Sequence, residues 1–370
     1  MRIDTFKIEE WMNHYCPEAK YDLTTTCIEP LSIRDLLTIC SITNASEITH
    51  KKLSYGDIHG SDRLINSILS LYKNQKTDNI TVTHGGIGAN QLIFESLLDK
   101  NDEVLVILPA YQQHYSIPKA IGAKVNTMFL REENSWQPNL VELEKNLTFR
   151  TRLICLTNPN NPTGAVIPDE TLRKIAEIAK ERNIWVLADE VYRGLNMTGN
   201  PYSEAFADIY GKGISVGSMS KTYSLPGLRV GWIVAREDLI KEINKHREYN
   251  TISVSILDDY FASLALENRD KIAARNFKIM REGLDILKDW QNGELYVKVN
   301  LPQGGTTALV RYKKEIPSKT LCREFQAKTG VALLPGETMD MEGTVRVGFC
   351  SGAEALSYGL KQFSKYLRTI

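Results

Sequence analysis

A lysine flanked by hydroxyl residues stands in a segment suited to binding phosphate and reacting with a carbonyl compound. Ser218, Ser220 and Lys221 follow a run of apolar residues, and Arg229 comes eight positions after the lysine. An arginine binds phosphate through its fork of donors, and serine hydroxyls donate to the same group. A lysine amine held there, away from bulk water, can form a Schiff base. The whole set is far more specific than Lys221 alone, which would indicate only a solvated surface loop.

A second candidate set comes directly after another apolar run. Asp189 follows the stretch Ile184–Ala188, and Tyr192 comes three positions later. A carboxylate buried at the end of a strand is costly unless a cation or hydrogen-bond donors face it. Asp189 is therefore suited to hold a protonated ring nitrogen, and Tyr192 to donate a hydrogen bond to a ring oxygen. For an isolated Asp-Glu pair, the alternative is a helix or loop cap.

A third set lies in a loop rich in asparagine and proline. The segment Asn158–Gly164 includes Asn161, and its composition favours turns for purely local reasons. A plain turn is therefore the simplest interpretation. A functional interpretation requires that this loop place one asparagine amide in a binding site.

The middle of the chain alternates between strand and helix patterns, which would bring these segments together. Short apolar runs predict buried strands, and apolar residues at helical spacing predict a helix from Asp169 to Ala179. The predicted strands are Val104–Leu108, Leu153–Leu156, Ile184–Ala188, Ile214–Gly217 and Val230–Ala235. This alternation predicts an α/β fold with a doubly wound sheet, in which ligand sites lie at the carboxyl ends of the strands.

The last part of the chain has a different order of elements, typical of a smaller α+β lobe. Its predicted strands and helices, in chain order, are Thr306–Arg311, Ser318–Lys328 (helix), Val331–Leu334, Val345–Phe349 and Ala353–Tyr366 (helix).

Composition narrows the function classes. The chain has 370 residues, of which 42% are hydrophobic and 24% charged, as in an ordinary globular protein. Its 45 basic residues balance 45 acidic ones, so no broad electrostatic attraction to nucleic acid or a membrane is expected. No apolar stretch reaches the roughly 18 residues of a membrane span, and the first residues do not resemble a secretory signal.

The cysteines indicate a reducing compartment. The chain has six, at scattered positions without a Cys-x-x-Cys pair: Cys16, Cys27, Cys40, Cys155, Cys322 and Cys350. We therefore expect free thiols, a cytoplasmic protein and no metal site.

Taken together, these motifs resemble the class I/II aminotransferases, which are pyridoxal 5′-phosphate enzymes of fold type I. The motifs that carry the resemblance stand in the family's order: Tyr55–Asp57, Pro109–Tyr111, Asn161–Gly164, Asp189–Tyr192, Ser218–Lys221, Gly227–Gly231 and Arg346–Phe349. The resemblance spans residues 20 to 365. It implies a large domain with a mostly parallel sheet at residues 45–280. It also implies a small domain at 281–370, which the N-terminal segment 1–44 joins.

The resemblance also implies a cofactor and roles for individual residues. Pyridoxal phosphate would form a Schiff base with Lys221, which later moves the α-proton of a free L-amino acid. Asp189 would pair with the pyridinium nitrogen, and Tyr111 would stack on the ring. The remaining cofactor contacts implied are Asn161 and Tyr192 at the phenolic oxygen, and Ser218, Ser220, Arg229 and the backbone at Gly85, Gly86 and Ile87 at the phosphate.

Substrate and partner follow from the same resemblance. Arg346 would clamp the substrate α-carboxylate as a bidentate pair, with Asn161 beside it. Tyr55 would reach the phosphate in a neighbouring subunit, which implies a homodimer with shared active sites. The generic outcome is transfer of the amino group to a 2-oxo acid.

The sequence favours two other classes of protein less, a nicotinamide-dinucleotide enzyme and a regulator. Gly86 and Gly88 could belong to a dinucleotide fingerprint, but Gln91 stands where its third glycine is needed. A pyridoxal-phosphate-binding regulator would combine this fold with a DNA-binding domain, and no helix-turn-helix pattern precedes the fold.

Within the family, the N-terminal segment points to a specialised branch. Asp22–Ser32, Glu10-Trp11 and Glu248–Ser253 resemble capreomycidine synthase and related arginine-acting enzymes. Members of that branch eliminate, cyclise or oxidise arginine derivatives rather than transaminate them. A cationic substrate side chain requires an acid, and Glu29 is the candidate, with a solvated loop acid as the equal alternative. Thr24–Thr26 stands where hydroxylating arginine oxidases carry Asp-Gly-His, which argues against that reaction.

Overall fold

A computed structural model describes residues 2–43 and 46–370 and shows a mixed α/β architecture. Its strands are β1 (Tyr21–Asp22), β2 (Ile80–His84), β3 (Glu103–Leu108), β4 (Lys124–Phe129), β5 (Thr151–Thr157), β6 (Trp185–Asp189), β7 (Gly213–Ser218), β8 (Val230–Val234), β9 (Val297–Val299), β10 (Thr307–Tyr312), β11 (Val331–Ala332), β12 (Leu334–Pro335) and β13 (Thr344–Gly348).

Helices alternate with these strands through most of the chain. They are α1 (Lys7–Tyr15), α2 (Ile33–Ile39), α3 (Ser46–Thr49), α4 (Asp62–Leu69), α5 (Gly85–Leu97), α6 (Gln113–Ile121), α7 (Leu140–Asn146), α8 (Asp169–Glu181), α9 (Phe206–Ile209), α10 (Glu237–Glu248), α11 (Ile256–Glu267), α12 (Arg269–Asn292), α13 (Ser318–Thr329) and α14 (Ala353–Leu367). In the described part of the chain, no helix is long and apolar enough to cross a membrane.

A seven-stranded sheet forms the centre of the molecule, in the order β2-β8-β7-β6-β5-β3-β4. Its strands pair in parallel except at β8, which runs antiparallel to both neighbours. Every residue of β3 and β6 is buried, as expected of central strands covered by helices on both faces. The predicted α/β class with a mostly parallel sheet is confirmed.

The five predicted strands of this sheet are present, and no predicted end differs from the observed end by more than two residues. In the C-terminal part, one prediction is wrong. Val331–Leu334 is not a single strand, because Val331 and Ala332 pair with β1 whereas Leu334 and Pro335 pair with β13. The apolar run continues through Leu333, so composition alone could not show that the chain changes partner there.

A second, four-stranded antiparallel sheet, in the order β12-β13-β10-β9, belongs to the C-terminal part. The N-terminal segment joins this part through parallel pairing of β1 with β11. Of the predicted domain boundaries, that at 44/45 lies outside the described residues. That at 280/281 falls within the continuous helix α12. The domain division therefore stays a prediction.

Glu190 is a buried acid that makes stability depend on pH. Its Oε1 accepts a bond from the Phe206 backbone N–H at 2.7 Å, and burial raises its pKa from 4.5 to about 7. Between these values the folded chain holds a proton that the unfolded chain has lost. The free energy of unfolding therefore falls as pH rises through this window, by up to about 3 kcal/mol, and levels off above it.

Replacing Glu190 by Gln removes this titration while keeping an oxygen that can accept from Phe206. We expect Glu190→Gln to unfold at higher urea concentration than the wild type above about pH 7, with the gain shrinking toward about pH 5. Urea titrations of both proteins across this range measure the difference. Glu170→Gln, at an exposed position, is the control and should not show this trend. A constant difference across the pH range would contradict the prediction.

Candidate active site

A cavity of about 660 Å³ lies at the carboxyl ends of the sheet strands and is also lined by the N-terminal segment. It brings together most of the residues that the sequence predicts for one site. The predicted residues among its lining are Gly86, Ile87, Tyr111, Asn161, Asp189, Tyr192, Ser218, Ser220, Lys221, Arg229 and Arg346. In the described part of the chain, no group of acid, histidine and cysteine side chains is arranged to hold a metal ion.

The sheet explains why residues so distant in sequence meet here. Asp189 is the last residue of β6 and Ser218 is the last residue of β7, its parallel neighbour. The Asn161 loop follows β5, the neighbour of β6 on the other side. Because parallel strands end at the same edge, the loops that follow them share one crevice. Arg346 comes instead from β13 of the second sheet, so the cavity lies between the two sheets.

Asp189 is buried, with 5% of its surface exposed, and is surrounded by hydrogen-bond donors. Its Oδ2 accepts from Asn90 Nδ2 at 3.0 Å, and its Oδ1 accepts from the Val191 backbone N–H at 3.3 Å. His114 is fully buried, and its Nε2 lies 3.4 Å from Oδ2, although neither ring nitrogen makes a hydrogen bond. This shell holds the carboxylate in place and leaves it facing the cavity.

An anion-binding cradle lies at the start of α5. Helix α5 begins directly after β2, at Gly85 with φ +68°, and has no side-chain N-cap. Its first backbone N–H groups therefore lack intrahelical partners. Arg229 approaches so closely that a Cβ on Gly85 would lie 2.9 Å from its guanidinium. The Ser218 and Ser220 hydroxyls, 3.0 Å apart, complete a set of donors suited to phosphate.

Lys221 is half-buried, and its amine contacts the N-terminal segment. Its Nζ lies 2.5 Å from Thr26 Oγ1 and 3.4 Å from Cys27 Sγ. Both partners also line the cavity. The amine is therefore held at the cavity wall by residues almost two hundred positions earlier in the chain.

Arg346 is almost fully buried, and only part of its donor set is used by the protein. It donates to Thr24 O at 2.7 Å and to Asn161 Oδ1 at 3.2 Å, whereas its Nε has no partner. Since Asn161 accepts through Oδ1, its amide NH₂ is the group that can donate to a ligand. A buried guanidinium without a carboxylate partner is suited to receive one from a ligand.

Helix α1 forms a wall of the cavity with Glu9 and Met12. Tyr111 Oη donates to Glu9 at 3.1 Å, and burial, together with that carboxylate, raises the pKa of Tyr111. The Tyr111 ring packs against Phe6, with ring centres 4.8 Å apart. Tyr111 is thus fixed on one side by the segment that precedes the first strand.

Three predicted residues do not line the cavity. Glu29 is exposed, and its backbone oxygen accepts from Arg275. Tyr55 is 80% exposed, outside the cavity of its own chain. Gly85 is not in the lining but lies against Arg229 and begins α5, directly after β2. Of Glu9 and Glu29, two acids of the N-terminal part, Glu9 lines the cavity of its own chain and Glu29 does not.

Sequence reasoning missed several residues of the site. Asn90, Thr157, Thr26, Cys27 and Glu9 line the cavity, and His114 contacts Asp189 from behind. One of them carried a usable signal, because Asn90 lies one helical turn after Gly86 on α5, a spacing that places side chains on a common helix face. Tyr111 precedes α6, so its spacing to His114 carries no such signal. For the other residues, only the tertiary structure shows that they belong to the site.

Comparison with known proteins gives consistent matches over the whole chain. The model of the family "Aminotransferase class I and II" matches residues 34–361. Capreomycidine synthase of Streptomyces vinaceus is 28% identical over 98% of this chain and 93% of its own length. Aspartate aminotransferase of Thermotoga maritima is 29% identical over 80% of this chain and 78% of its own.

Solved structures give the same result. A PLP-dependent aminotransferase from Streptococcus suis is 36% identical and superposes with a TM-score of 0.96, over 100% of this chain and 99% of its own. The PLP-dependent cyclase OrfR is 25% identical with a TM-score of 0.90, over 100% and 98%. The relatives thus include both aminotransferases and enzymes named as a synthase and a cyclase.

Proposed function

This chain belongs to the aminotransferase class I and II family, and from that premise we propose that it moves the amino group of a free L-amino acid to a 2-oxo acid. As a member of the family it is a pyridoxal-phosphate-dependent enzyme. The observation that carries the proposal is a single cavity lined by an amine, a buried carboxylate and a buried guanidinium. These are Lys221, Asp189 and Arg346.

The residues present fit this cofactor. The cradle of Arg229, Ser218, Ser220 and the α5 N-terminus suits a phosphate dianion, and a side chain at Gly86 would meet Val191 at 2.9 Å. Asp189 is a buried carboxylate facing the cavity, suited to a cationic ring nitrogen. Asn161 and Tyr192 would donate to the phenolic oxygen, Tyr111 would stack on the ring, and Lys221 supplies the amine that bonds the carbonyl.

The chain's own residues perform the proton transfers and the binding. When bound, pyridoxal phosphate condenses with amines and withdraws electrons from the substrate α-carbon, which makes the α-proton acidic. Lys221 Nζ, an amine at the cavity wall, would take this proton and return one. Arg346 holds the α-carboxylate and so orients the bond to be broken. Asp189 would stabilise a cationic ring nitrogen, because a buried anion favours the charged form of a cation that faces it.

Arg346 gives a prediction about substrate binding. Arg346→Ala removes the carboxylate clamp, and we expect KM for an amino acid substrate to rise ~10–100-fold, the size of a lost charged hydrogen-bond pair. The fall in kcat should be smaller. Steady-state kinetics measure both, and Arg311→Ala, which breaks the Arg311–Glu132 ion pair on neighbouring β10, is the control. An unchanged KM would place the clamp elsewhere.

A second candidate reaction is favoured by one observation. Glu9 lines the cavity and has no assigned task toward the cofactor or the α-carboxylate. A carboxylate there suits a substrate with a cationic distal group, as in the arginine-acting branch. Elimination, cyclisation or oxidation of such a substrate is therefore the alternative outcome. The similarity to capreomycidine synthase over nearly the whole chain supports this alternative.

One spectroscopic experiment distinguishes amino-group transfer from the oxidative alternative. The holoenzyme is mixed with L-arginine, and separately with L-aspartate, in air and without a 2-oxo acid. A change in the cofactor spectrum that 2-oxoglutarate reverses supports amino-group transfer. A persistent long-wavelength band with oxygen uptake supports the oxidative alternative. Lack of any spectral change with a wider panel of amino acids would contradict both.

We further propose that two chains form a dimer. Five apolar or aromatic residues of the segments 53–58 and 249–252 are each 49% or more exposed: Leu53, Tyr55, Ile58, Tyr249 and Ile252. The segment around Gly56 packs against the backbone at Val254 and Ile256, so these side chains belong to neighbouring surface segments. Exposed apolar patches of this kind mark association surfaces.

Sedimentation equilibrium tests this assembly. We expect a dimer for the wild type and a shift toward the monomer for a Leu53→Asp/Tyr249→Asp double variant, because burying two added charges opposes association. A Phe149→Asp variant is the control, since Phe149 is equally exposed and follows α7. A monomeric wild type would contradict the proposal.

A further inference from the structure

The ε-amine of Lys221 and the thiol of Cys27 are in contact at the wall of the cavity. The amine Nζ donates a hydrogen bond to Sγ, and the two atoms are 3.4 Å apart. Both residues are half-buried and both line the cavity, so small oxidants can reach them. We propose that Lys221 and Cys27 are an oxidative cross-linking site, at which peroxide converts the contact into a covalent sulfur–nitrogen bond in the cofactor-free enzyme.

The segment that carries the thiol is fixed in place. Thr26 Oγ1 contacts the same amine at 2.5 Å, and Thr26 O accepts from Thr306 Oγ1 at 2.8 Å. Thr24 O accepts from Arg346 at 2.7 Å. These two anchors lie within three residues of Cys27 and hold the segment that carries the thiol beside the amine.

The other five thiols lie in different surroundings. Cys155, Cys322 and Cys350 are buried, and burial raises the pKa of each. Cys40 contacts Leu264 O at 3.8 Å, and Cys16 contacts Thr24 Oγ1 at 3.3 Å. Burial also raises the pKa of Cys16 and Cys40, which disfavours the reactive thiolate. Cys27 differs from these thiols in that it lines the cavity, from which an oxidant can reach it, and contacts the Lys221 nitrogen.

The chemistry balances in two steps with hydrogen peroxide as the oxidant. In the first, the Cys27 thiol is oxidised to a sulfenic acid while peroxide is reduced to water (Cys–SH + H₂O₂ → Cys–SOH + H₂O). In the second, the Lys221 nitrogen attacks sulfur and the S–O bond breaks. The departing hydroxide takes a proton from the amine and leaves as water. The product, Cys–S–NH–Lys, has two hydrogen atoms fewer than the starting pair, and a dithiol returns it to thiol and amine.

Cofactor occupancy would control this reaction. In the holoenzyme the Lys221 nitrogen is bonded to pyridoxal phosphate and is not free to attack sulfur; this part rests on the proposed function. In the cofactor-free enzyme the amine is free. The cross-link would then block reloading of the cofactor until a reductant removes it.

Mass spectrometry tests the proposal directly. Apoenzyme and holoenzyme are treated with hydrogen peroxide, quenched and digested without reductant. In the apoenzyme we expect a linked peptide joining Cys27 to Lys221, lighter by two hydrogen atoms than the sum of its parts. We also expect loss of pyridoxal phosphate uptake that dithiothreitol restores. The holoenzyme should give little of this product.

Three variants sharpen the test. Cys27→Ser should give no linked peptide, and Lys221→Ala should accumulate sulfinic acid at Cys27 because the trapping amine is missing. Cys40 is a half-buried thiol outside the cavity. The Cys40→Ser variant should therefore give as much linked peptide as the wild type. Oxidation of Cys27 to sulfinic acid with Lys221 unmodified in the wild-type apoenzyme would overturn the proposal. So would a Cys27 that stays reduced while Cys16 and Cys40 oxidise.

Failure of the proposed function gives a different result. If Lys221 does not bond pyridoxal phosphate, borohydride reduction before any peroxide leaves the Lys221 peptide unlabelled. The linked peptide is detected by mass alone, so it remains measurable in that case. Equal cross-linking with and without cofactor would overturn the protective role of the holoenzyme.

Discussion

Lys221→Ala is expected to abolish turnover and to remove the visible absorbance of the lysine-bound cofactor. Its amine is the group that bonds the cofactor and moves the α-proton, and general acid–base catalysis alone contributes ~10²–10⁴-fold to rates. We therefore expect a loss of activity of ~10⁴-fold or more. Steady-state assays and an absorbance spectrum of the purified variant measure the two effects.

The fold should survive this substitution, because Lys221 lies at a cavity wall and makes no ion pair in the described structure. Thermal unfolding is the check for this. Lys174→Ala is the matched control, since Lys174 is an exposed lysine on α8 that pairs with Glu170. A Lys221→Ala enzyme with near-normal turnover would contradict both the proposed function and the assignment of this lysine.

Asp189→Asn has the second-largest expected effect. The substitution keeps an oxygen that can accept from Asn90, but it removes the negative charge that faces the ring nitrogen. Removing one preorganised electrostatic group from an active site costs ~10²–10³ in kcat. We expect a loss of this size in kcat, with cofactor still bonded to Lys221 and its absorbance retained.

A variant of a residue beside Asp189 should have a smaller effect on kcat than a variant of Asp189 itself. His114→Phe removes the imidazole 3.4 Å from the carboxylate and should lower kcat by less than Asp189→Asn, because the charge itself remains. Asp238→Asn, at an exposed position paired with Arg236, is the matched control and should leave kcat unchanged. An Asp189→Asn enzyme with wild-type kcat would exclude this role for the carboxylate.

The sequence predicts Glu29 as the acid that meets a cationic substrate, because it lies in the unusual N-terminal segment. In the structure this residue is exposed and does not line the cavity of its own chain. Glu9, on the helix that precedes this segment, lines the cavity instead. One-dimensional proximity to Thr24–Thr26 could not distinguish them, because which side chain faces inward depends on how α1 packs against Tyr111.

By itself, the sequence determined the family and its cofactor, and it predicted half of the residues that line the cavity. Strand-ending motifs such as Asp189 and Ser218–Lys221 are local, and the parallel sheet brings any such strand ends to one edge. Apolar runs of four to six residues marked those strands because central parallel strands are buried on both faces.

Only the tertiary structure decided what each of these groups contacts. The bond from Arg346 to Thr24 joins residues 322 positions apart, and the contact of Lys221 with Thr26 joins residues 195 apart. Such contacts depend on how the second sheet and the N-terminal segment pack against the large sheet, which no local pattern encodes. Side-chain identity and spacing therefore predicted the reacting groups, whereas packing decided that Thr26, Cys27 and Glu9 surround them.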